Sequence, residues 1–205
     1  MLETLGGASR TCGEISAAKT GKQVTSIRKI ISGGQTGADR AALDFALAHD
    51  IPIGGWCPRG RRAEDGIVPW LYALQEHPDP AYRPRTVQNL LEADLTVVFA
   101  RSPLSPGSRF TLNQCRTRGK KHLWLSNFPD AKTDAKWLRA ALRGFEGVLN
   151  VAGSRESKCP GIYHHVLRVL QLATAESAMA ADEISSQEHS ILSRSIKRQA
   201  EILEQ

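Results

Sequence analysis

The stretch Ile30-Ile31-Ser32-Gly33-Gly34-Gln35-Thr36-Gly37-Ala38-Asp39-Arg40 decides how this chain folds. A short β-branched run ends in two glycines, and apolar residues then recur at helical spacing from Ala42 to Leu47. The order is therefore strand, glycine turn and helix. Glycines let the backbone approach a ligand closely, and a helix start offers unpaired N–H groups with a partial positive charge. This arrangement suits a phosphate or another oxyanion.

The spacing Gly33-x-x-x-Gly37 matches neither the P-loop nor the dinucleotide fingerprint. A tight turn that binds nothing is therefore the alternative at this point. If the turn is a phosphate-binding loop, its backbone and hydroxyl groups contact the anion. The candidate residues of this first turn are Gly33, Gly34, Gln35, Thr36, Gly37, Asp39 and Arg40.

Composition sets the broad class of the protein. A chain of 205 residues fits one domain plus tails, and no apolar run approaches the roughly 20 residues of a membrane span. The amino terminus lacks the pattern of a secretory signal. The four cysteines, Cys12, Cys57, Cys115 and Cys159, are widely spaced, which indicates free thiols in a reducing compartment and no metal site. The expectation is a cytoplasmic protein without a membrane partner.

The positive charge lies in the body of the chain. Residues 27–175 hold 21 of the 27 basic residues and 13 of the 21 acidic ones. A basic body suits either anionic small molecules or nucleic acid. Nucleic-acid binding would call for aromatic residues interleaved with the basic ones, whereas here the arginines cluster beside glycines. The sequence therefore favours a compact anionic ligand over a nucleic-acid-binding module.

Predicted strands alternate with predicted helices through the middle of the chain. The strands are expected at Ile27–Ile31, Ile51–Trp56, Leu95–Ala100, His122–Ser126 and Val148–Ala152. This alternation predicts an α/β fold, a Rossmann-like doubly wound and mainly parallel sheet of about five strands. A short helix is expected over Pro69–Glu76, and Thr86 is expected to cap the next one.

The ends of the chain differ from this body. Residues 1–26 show no sustained period and are expected to be a flexible leader, with the Rossmann-like domain over 27–175. Residues 176–205 are expected to be a linker and a C-terminal amphipathic helix. Its apolar stripe, from Ile191 to Leu203, would pack on the body or on a second subunit, so a homo-oligomer is one expectation.

Three further turns follow predicted strands and should share one edge of the sheet. Carboxyl ends of parallel strands lie together, and ligands bind there. The arginines of these turns would supply charge to an anion. Arg155 would do so unless Glu156 or Glu64 neutralises it. The candidate residues are Arg59, Arg61, Arg62, Glu64 and Asp65 in the second turn, Gly107, Ser108 and Thr111 in the third, and Gly153, Ser154, Arg155 and Glu156 in the fourth.

Four segments resemble the motifs of the putative molybdenum carrier family. They are Ser32–Asp44, Gly54–Gly66, Arg85-Thr86-x-x-Asn89 and Leu149–Ser157, within a resemblance that spans Ile27 to Leu172. The resemblance adds Arg85, Thr86 and Asn89 to the candidate ligand-binding residues. It also implies that the chain is a circularly permuted member of a Rossmann-like superfamily. That superfamily includes the Lonely Guy phosphoribohydrolases, once labelled lysine decarboxylases. There the Gly-Ser turn comes first, whereas here Gly153-Ser154 ends the last strand.

The resemblance implies carriage of a phosphorylated, nucleotide-like or molybdopterin-type ligand, with molybdenum cofactor or a nucleotide as the bound group. In the phosphoribohydrolases the motif P-G-G-x-G-T-x-x-E carries a catalytic glutamate. The nearest segment here, Pro106–Gln114, has no glutamate, and Ser108 stands where a second glycine is expected. The rival interpretation is a nucleotide N-glycoside hydrolase that uses Glu64, Asp65 or Glu156 as base. Asp39 would hold a ribose or pterin donor, or serve as a favourable charge in the first helical turn.

Overall fold

The structure is a computed structural model that describes residues 26–175. The predicted leader, except Ser26, and the predicted linker and amphipathic helix of residues 176–205 lie outside the described residues. In chain order the strands are β1 (Ser26–Ile31), β2 (Ile53–Gly54), β3 (Trp56–Cys57), β4 (Arg62–Ala63), β5 (Gly66–Ile67), β6 (Gln75–Glu76), β7 (Leu95–Phe99), β8 (His122–Leu125) and β9 (Glu146–Gly153). The helices are α1 (Ala38–Ala48), α2 (Tyr82–Glu92), α3 (Pro106–Thr117), α4 (Ala131–Ala141) and α5 (Ile162–Thr174).

The main sheet has five strands in the order β2-β1-β9-β7-β8, and all of them pair in parallel. Alternate residues of the strands serve opposite faces. Val97 of β7 packs with α1, α4 and α5 on one face, whereas Val98 packs with Leu112 of α3 on the other. Helices therefore cover both faces, which confirms the predicted doubly wound α/β fold.

Strand β9 lies between β1 and β7, and this position assembles the site. Asn150 of β9 is level with Ile31 near the end of β1, and Gly153 is level with Phe99 at the end of β7. The carboxyl ends of these three strands therefore meet at one edge of the sheet. The last strand of residues 26–175 thus lies beside the first one.

The predicted strand Ile51–Trp56 is divided at Gly55. This residue has φ +110, a conformation that favours glycine, and a Cβ there would come within 2.4 Å of the Ser32 carbonyl oxygen. The chain therefore leaves the main sheet after β2. The next two residues form β3, which pairs in parallel with β6 outside that sheet.

The helix predicted over Pro69–Glu76 is wrong. The segment turns at Trp70 and Leu71 and ends in β6. The Leu74 carbonyl, like that of Val68 just before the segment, accepts a hydrogen bond from the Arg61 side chain. The backbone bonds inside the segment are short-range, from the Tyr72 N–H to Pro69 and from the Leu74 N–H to Tyr72, and not of the α-helical i to i−4 kind. The apolar spacing of this segment favours a helix, but its hydrogen bonds to the Arg61 side chain hold it in an irregular conformation.

The predicted cap at Thr86 is also wrong, because α2 begins four residues earlier. Ala81 is the N-cap, and the Thr86 hydroxyl donates within the helix to the Tyr82 carbonyl at 2.9 Å. Pro84 lies in the first turn, where its missing N–H costs nothing. The third predicted turn is likewise helical, since Gly107 follows the N-cap Ser105 and Pro106 at the start of α3.

Candidate functional site

A cleft of about 580 Å³ lies at the carboxyl edge of the sheet. Its walls come from the β1–α1 turn, the starts of α2 and α3, the end of β9, and Arg62 in β4. The three strands that end side by side in the main sheet explain why these segments meet. The cleft gathers half of the predicted site: Gln35, Asp39, Arg62, Arg85, Thr86, Gly107, Ser108, Thr111, Gly153, Ser154 and Arg155.

The other predicted residues do not line this cleft, and most of them bind other parts of the protein. They are Gly33, Gly34, Thr36, Gly37, Arg40, Arg59, Arg61, Glu64, Asp65, Asn89 and Glu156. Asn89 holds β3 through the backbone N–H and carbonyl of Trp56, at 2.8 and 3.1 Å. Glu156 accepts hydrogen bonds from the N–H groups of Gly161 and Tyr163 at the start of α5. Arg59 is exposed.

The glycines of the β1–α1 turn create close packing against the protein. A Cβ on Gly33 would lie 1.5 Å from an Arg85 guanidinium nitrogen. A Cβ on Gly37 would lie 2.6 Å from the Ser154 carbonyl oxygen, and that oxygen accepts the Ala38 N–H at 3.2 Å. These glycines thus position Arg85 and the end of β9 beside the cleft.

Two carboxylates tie the β4–β5 hairpin to the sheet edge. Both terminal guanidinium nitrogens of Arg40 donate hydrogen bonds to the Asp65 carboxylate, and this contact holds the pKa of Asp65 below its usual value. Glu64 accepts hydrogen bonds from Thr36 and Ser157. Partial burial would raise the pKa of Glu64, but these hydrogen bonds outweigh it and lower that pKa. The hairpin that carries Arg62 is thereby fixed over the cleft.

The cleft has a strongly positive lining. Arg62, Arg83, Arg85, Arg155 and Lys158 contribute five basic side chains, against one acidic side chain from Asp39. The start of α3 adds the partial positive charge of a helix amino terminus. Among the lining residues, positive charge exceeds negative charge by four, so the cleft attracts anions.

Asp39 and Arg85 form a buried ion pair at this cleft. Asp39 Oδ2 lies 3.7 Å from Arg85 Nη1, with side-chain exposures of 6% and 11%. Burial raises the pKa of Asp39, although the charge of Arg85 and the N–H of Gln35 act against that rise. Burial also lowers the pKa of Arg85, against the attraction of Asp39. At a separation of 3.7 Å, the attraction between the two charges only partly offsets the free-energy cost of removing each of them from water.

Sequence reasoning missed the aromatic walls of the cleft. The Arg155 guanidinium carbon lies 4.9 Å from the centre of the Tyr82 ring, and that of Arg83 lies 5.2 Å from the Phe110 ring. Pro84, which favours a helix start, was the signal that could have placed Tyr82 and Arg83 at the first turn of α2. No comparable signal marks Lys158. The flat rings give the cleft apolar faces beside its charges.

The cysteines of the described segment lie away from the cleft. Cys57, Cys115 and Cys159 are buried free thiols, and burial raises the pKa of each of them. Residues 26–175 contain no cluster of three or more His, Cys, Asp or Glu side chains arranged to hold a metal ion.

Fold and cleft together define a class, a doubly wound Rossmann-like protein with a cationic cleft at the carboxyl edge of its sheet. The chain belongs to the family described as circularly permutated YpsA SLOG, whose profile matches residues 30–174. None of the curated proteins compared matches this chain. No helix within residues 26–175 has both the length and the apolar character that crossing a membrane requires.

The chain is also similar to a solved structure. A protein from Syntrophus aciditrophicus SB, described as a putative molybdenum carrier protein and solved at 1.45 Å resolution, is 42% identical to it. The match covers 74% of this chain and 97% of the other, with a TM-score of 0.70. The motif resemblance and the family assignment therefore agree.

Proposed function

We propose that this protein is a cytoplasmic carrier of a phosphorylated small molecule, a nucleotide-like or pterin ligand, which it binds in the cleft at the carboxyl edge of the sheet. The observation that carries the proposal is the lining of five basic side chains and one acidic side chain around the start of α3. A phosphate bound there meets charged donors and a helix amino terminus together.

The similar protein from Syntrophus aciditrophicus SB is described as a putative molybdenum carrier. The specific form of the proposal is carriage of molybdenum cofactor, the cargo that the motif resemblance implies. The residues of the cleft fit the phosphate of such a ligand, because Arg155 and Lys158 can pair with it beside the start of α3. The buried thiols do not line the cleft, so they do not serve as molybdenum ligands there. The cofactor would then be cargo that is held by its organic part.

Hydrolysis of an N-glycosidic bond is the second candidate, and the cleft supports it less well. The three carboxylates expected as base are held elsewhere: Glu64 by Thr36 and Ser157, Asp65 by Arg40, and Glu156 at the start of α5. Asp39 is the acidic side chain of the lining. Incubation with AMP and with GMP distinguishes the two functions, since a hydrolase releases the free base and ribose phosphate from at least one of them while a carrier returns both intact.

GMP, a phosphorylated nucleotide of the proposed ligand class, serves as the probe for this site. Replacing Arg155 with alanine should weaken its binding. Arg155 lines the cleft and lies over the Tyr82 ring. A charge-assisted hydrogen bond contributes about 1.5–3 kcal/mol, so the dissociation constant measured by calorimetry should rise roughly tenfold to a hundredfold. Thermal unfolding should change little, because the side chain stands at the surface of the cleft.

The matched control is Arg116→Ala. Arg116 lies in the last turn of α3, outside the cleft lining, and this change removes the same charge. It should leave the dissociation constant for GMP unchanged within about twofold, since distant exposed charges are screened by salt. Equal weakening in both variants would mean that net charge alone attracts the nucleotide, and the proposed site for its phosphate would then be wrong.

A further inference from the structure

Two buried polar atoms at the cleft have no hydrogen-bond partner among the protein atoms. Within residues 26–175 there are four such side-chain atoms: Gln35 Oε1, Arg85 Nε, Asn113 Oδ1 and His165 Nδ1. The first two belong to residues that line the cleft. Buried polar groups normally have hydrogen-bond partners. An acceptor and a donor that both lack one at the same cleft therefore indicate that a ligand supplies the missing hydrogen bonds.

The orientation of the Gln35 amide follows from its neighbour. The Nε2 group donates to the backbone carbonyl of Arg62 at 2.8 Å. A carbonyl oxygen only accepts, so the amide nitrogen must face it and Oε1 is left as an acceptor. Gln35 is only 3% exposed, so water cannot freely serve this oxygen.

Asp39 adds a second acceptor beside the first. Its Oδ2 accepts the Gln35 N–H at 3.3 Å and lies 3.7 Å from Arg85 Nη1, so the three residues adjoin one another. The backbone N–H of Gly33 also donates to this carboxylate. An ionised carboxylate offers about four acceptor positions, which these three contacts do not exhaust. The buried floor of the cleft, defined as Gln35, Asp39 and Arg85, therefore presents two acceptors beside the unpaired N–H of Arg85 Nε.

This floor is poorly suited to a phosphate. A phosphate dianion presents acceptor oxygens, which would face the Gln35 oxygen and the Asp39 carboxyl group. The other basic residues are more accessible: Arg62, Arg83 and Lys158 are exposed, and Arg155 is half-buried. A phosphate therefore belongs at this outer rim, beside the start of α3, and the floor receives another part of the ligand.

We propose that the floor recognises a 2-amino-4-oxopyrimidine edge, the hydrogen-bonding edge that guanine shares with pterins. Its two adjacent N–H donors match Gln35 Oε1 and the Asp39 carboxylate, and its carbonyl oxygen accepts from Arg85 Nε. The ring lies inward and the phosphate outward. This inference rests on the proposed function, because it assumes that the cleft binds a phosphorylated ligand.

The hydrogen-bonding pattern of this edge distinguishes it from similar ligands such as adenine nucleotides and ribose 5-phosphate. Adenine offers one exocyclic donor position beside a ring acceptor, so it leaves an acceptor of the floor without a partner. Ribose 5-phosphate carries the phosphate without any ring. A site with buried polar groups discriminates strongly against ligands that leave those groups unpaired.

Calorimetry with GMP, AMP and ribose 5-phosphate tests the proposal on the full chain. GMP should bind at least about tenfold more tightly than either of the other two, the loss expected for one unpaired buried group. AMP or ribose 5-phosphate binding as tightly as GMP would overturn the inference and leave the proposed function standing. Failure of all three compounds to bind would contradict the proposed function itself.

A variant tests the role of Gln35 separately. Gln35→Met keeps the length of the side chain and removes both the acceptor and the donor to the Arg62 carbonyl. GMP affinity should fall about tenfold, and unchanged ribose 5-phosphate affinity shows that the loss of the bond to Arg62 is not the cause. Unchanged GMP affinity would overturn the assignment of Gln35. If this variant does not fold, the comparison of the three ligands on the natural protein still decides the proposal.

Discussion

Replacing Arg61 with alanine should destabilise the protein by about 3 kcal/mol or more, although Arg61 does not line the cleft. The guanidinium is buried, and its nitrogens donate at 3.0–3.1 Å to four backbone carbonyls: Val68, Pro69, Tyr72 and Leu74. Hydrogen bonds from a charged donor are strong, and their loss would remove the Arg61 partner of the Val68 and Leu74 carbonyls, whereas Pro69 and Tyr72 would keep only the backbone N–H groups of Tyr72 and Leu74. Denaturant unfolding of the variant measures the effect.

The destabilisation should spread from this segment to the site. Val68 and Leu74 pack against Gly34, where a Cβ would come within 2.8 Å of either side chain. Loosening of the segment therefore removes support from the β1–α1 turn. Arg59→Ala is the matched control, because Arg59 is exposed in the same loop, and it should change stability by less than about 0.5 kcal/mol. Equal effects in the two variants would contradict this role of Arg61.

Replacing Asp39 with alanine should also be costly, by about 3 kcal/mol, because it leaves the Arg85 guanidinium buried without its anion. A guanidinium keeps its proton at neutral pH, so it cannot escape the penalty by becoming neutral. The reverse change, Arg85→Met, should cost less. Burial already raises the pKa of Asp39, so without Arg85 the carboxyl group can take up a proton.

This asymmetry has a pH signature. In Arg85→Met, the pKa of Asp39 in the folded state lies above its unfolded value, so the folded state holds a proton that the unfolded state releases. The destabilisation of that variant relative to the natural protein should therefore be smallest at acidic pH and grow as pH rises through the folded-state pKa of Asp39. Unfolding free energies measured across the pH range test this. Equal destabilisation by both variants at every pH would contradict the account.

The fold could be predicted because its signals are local. Leu95–Phe99 is a continuous β-branched and apolar run, as expected for a strand covered on both faces, and all five of its residues are buried. Alternation of such runs with helical stripes implies parallel pairing. That pairing brought Gln35, Gly107 and Gly153 to one cleft, as the order of strands and turns predicted.

The roles of the charged residues could not be predicted in the same way, because their partners are distant or irregular. Arg61 and Arg62 are adjacent in the sequence, yet Arg61 is buried and donates to backbone carbonyls, whereas Arg62 lines the cleft. Asp65 pairs with Arg40, 25 residues away, rather than within its own loop. Such pairings follow from the path of the β4–β5 hairpin, which leaves no periodic signal in the sequence.

The most direct test of the central claim is mass spectrometry of the small molecules released from the purified full-length protein. The account predicts a phosphorylated nucleotide or pterin in an amount close to one per protein chain. It also predicts that the variant Arg62→Ala/Arg155→Ala/Lys158→Ala, which lacks three charges of the rim, loses most of that compound while remaining folded. Recovery of the same phosphorylated compound in equal amount from both proteins would contradict the claim that this cleft is where the protein binds its ligand.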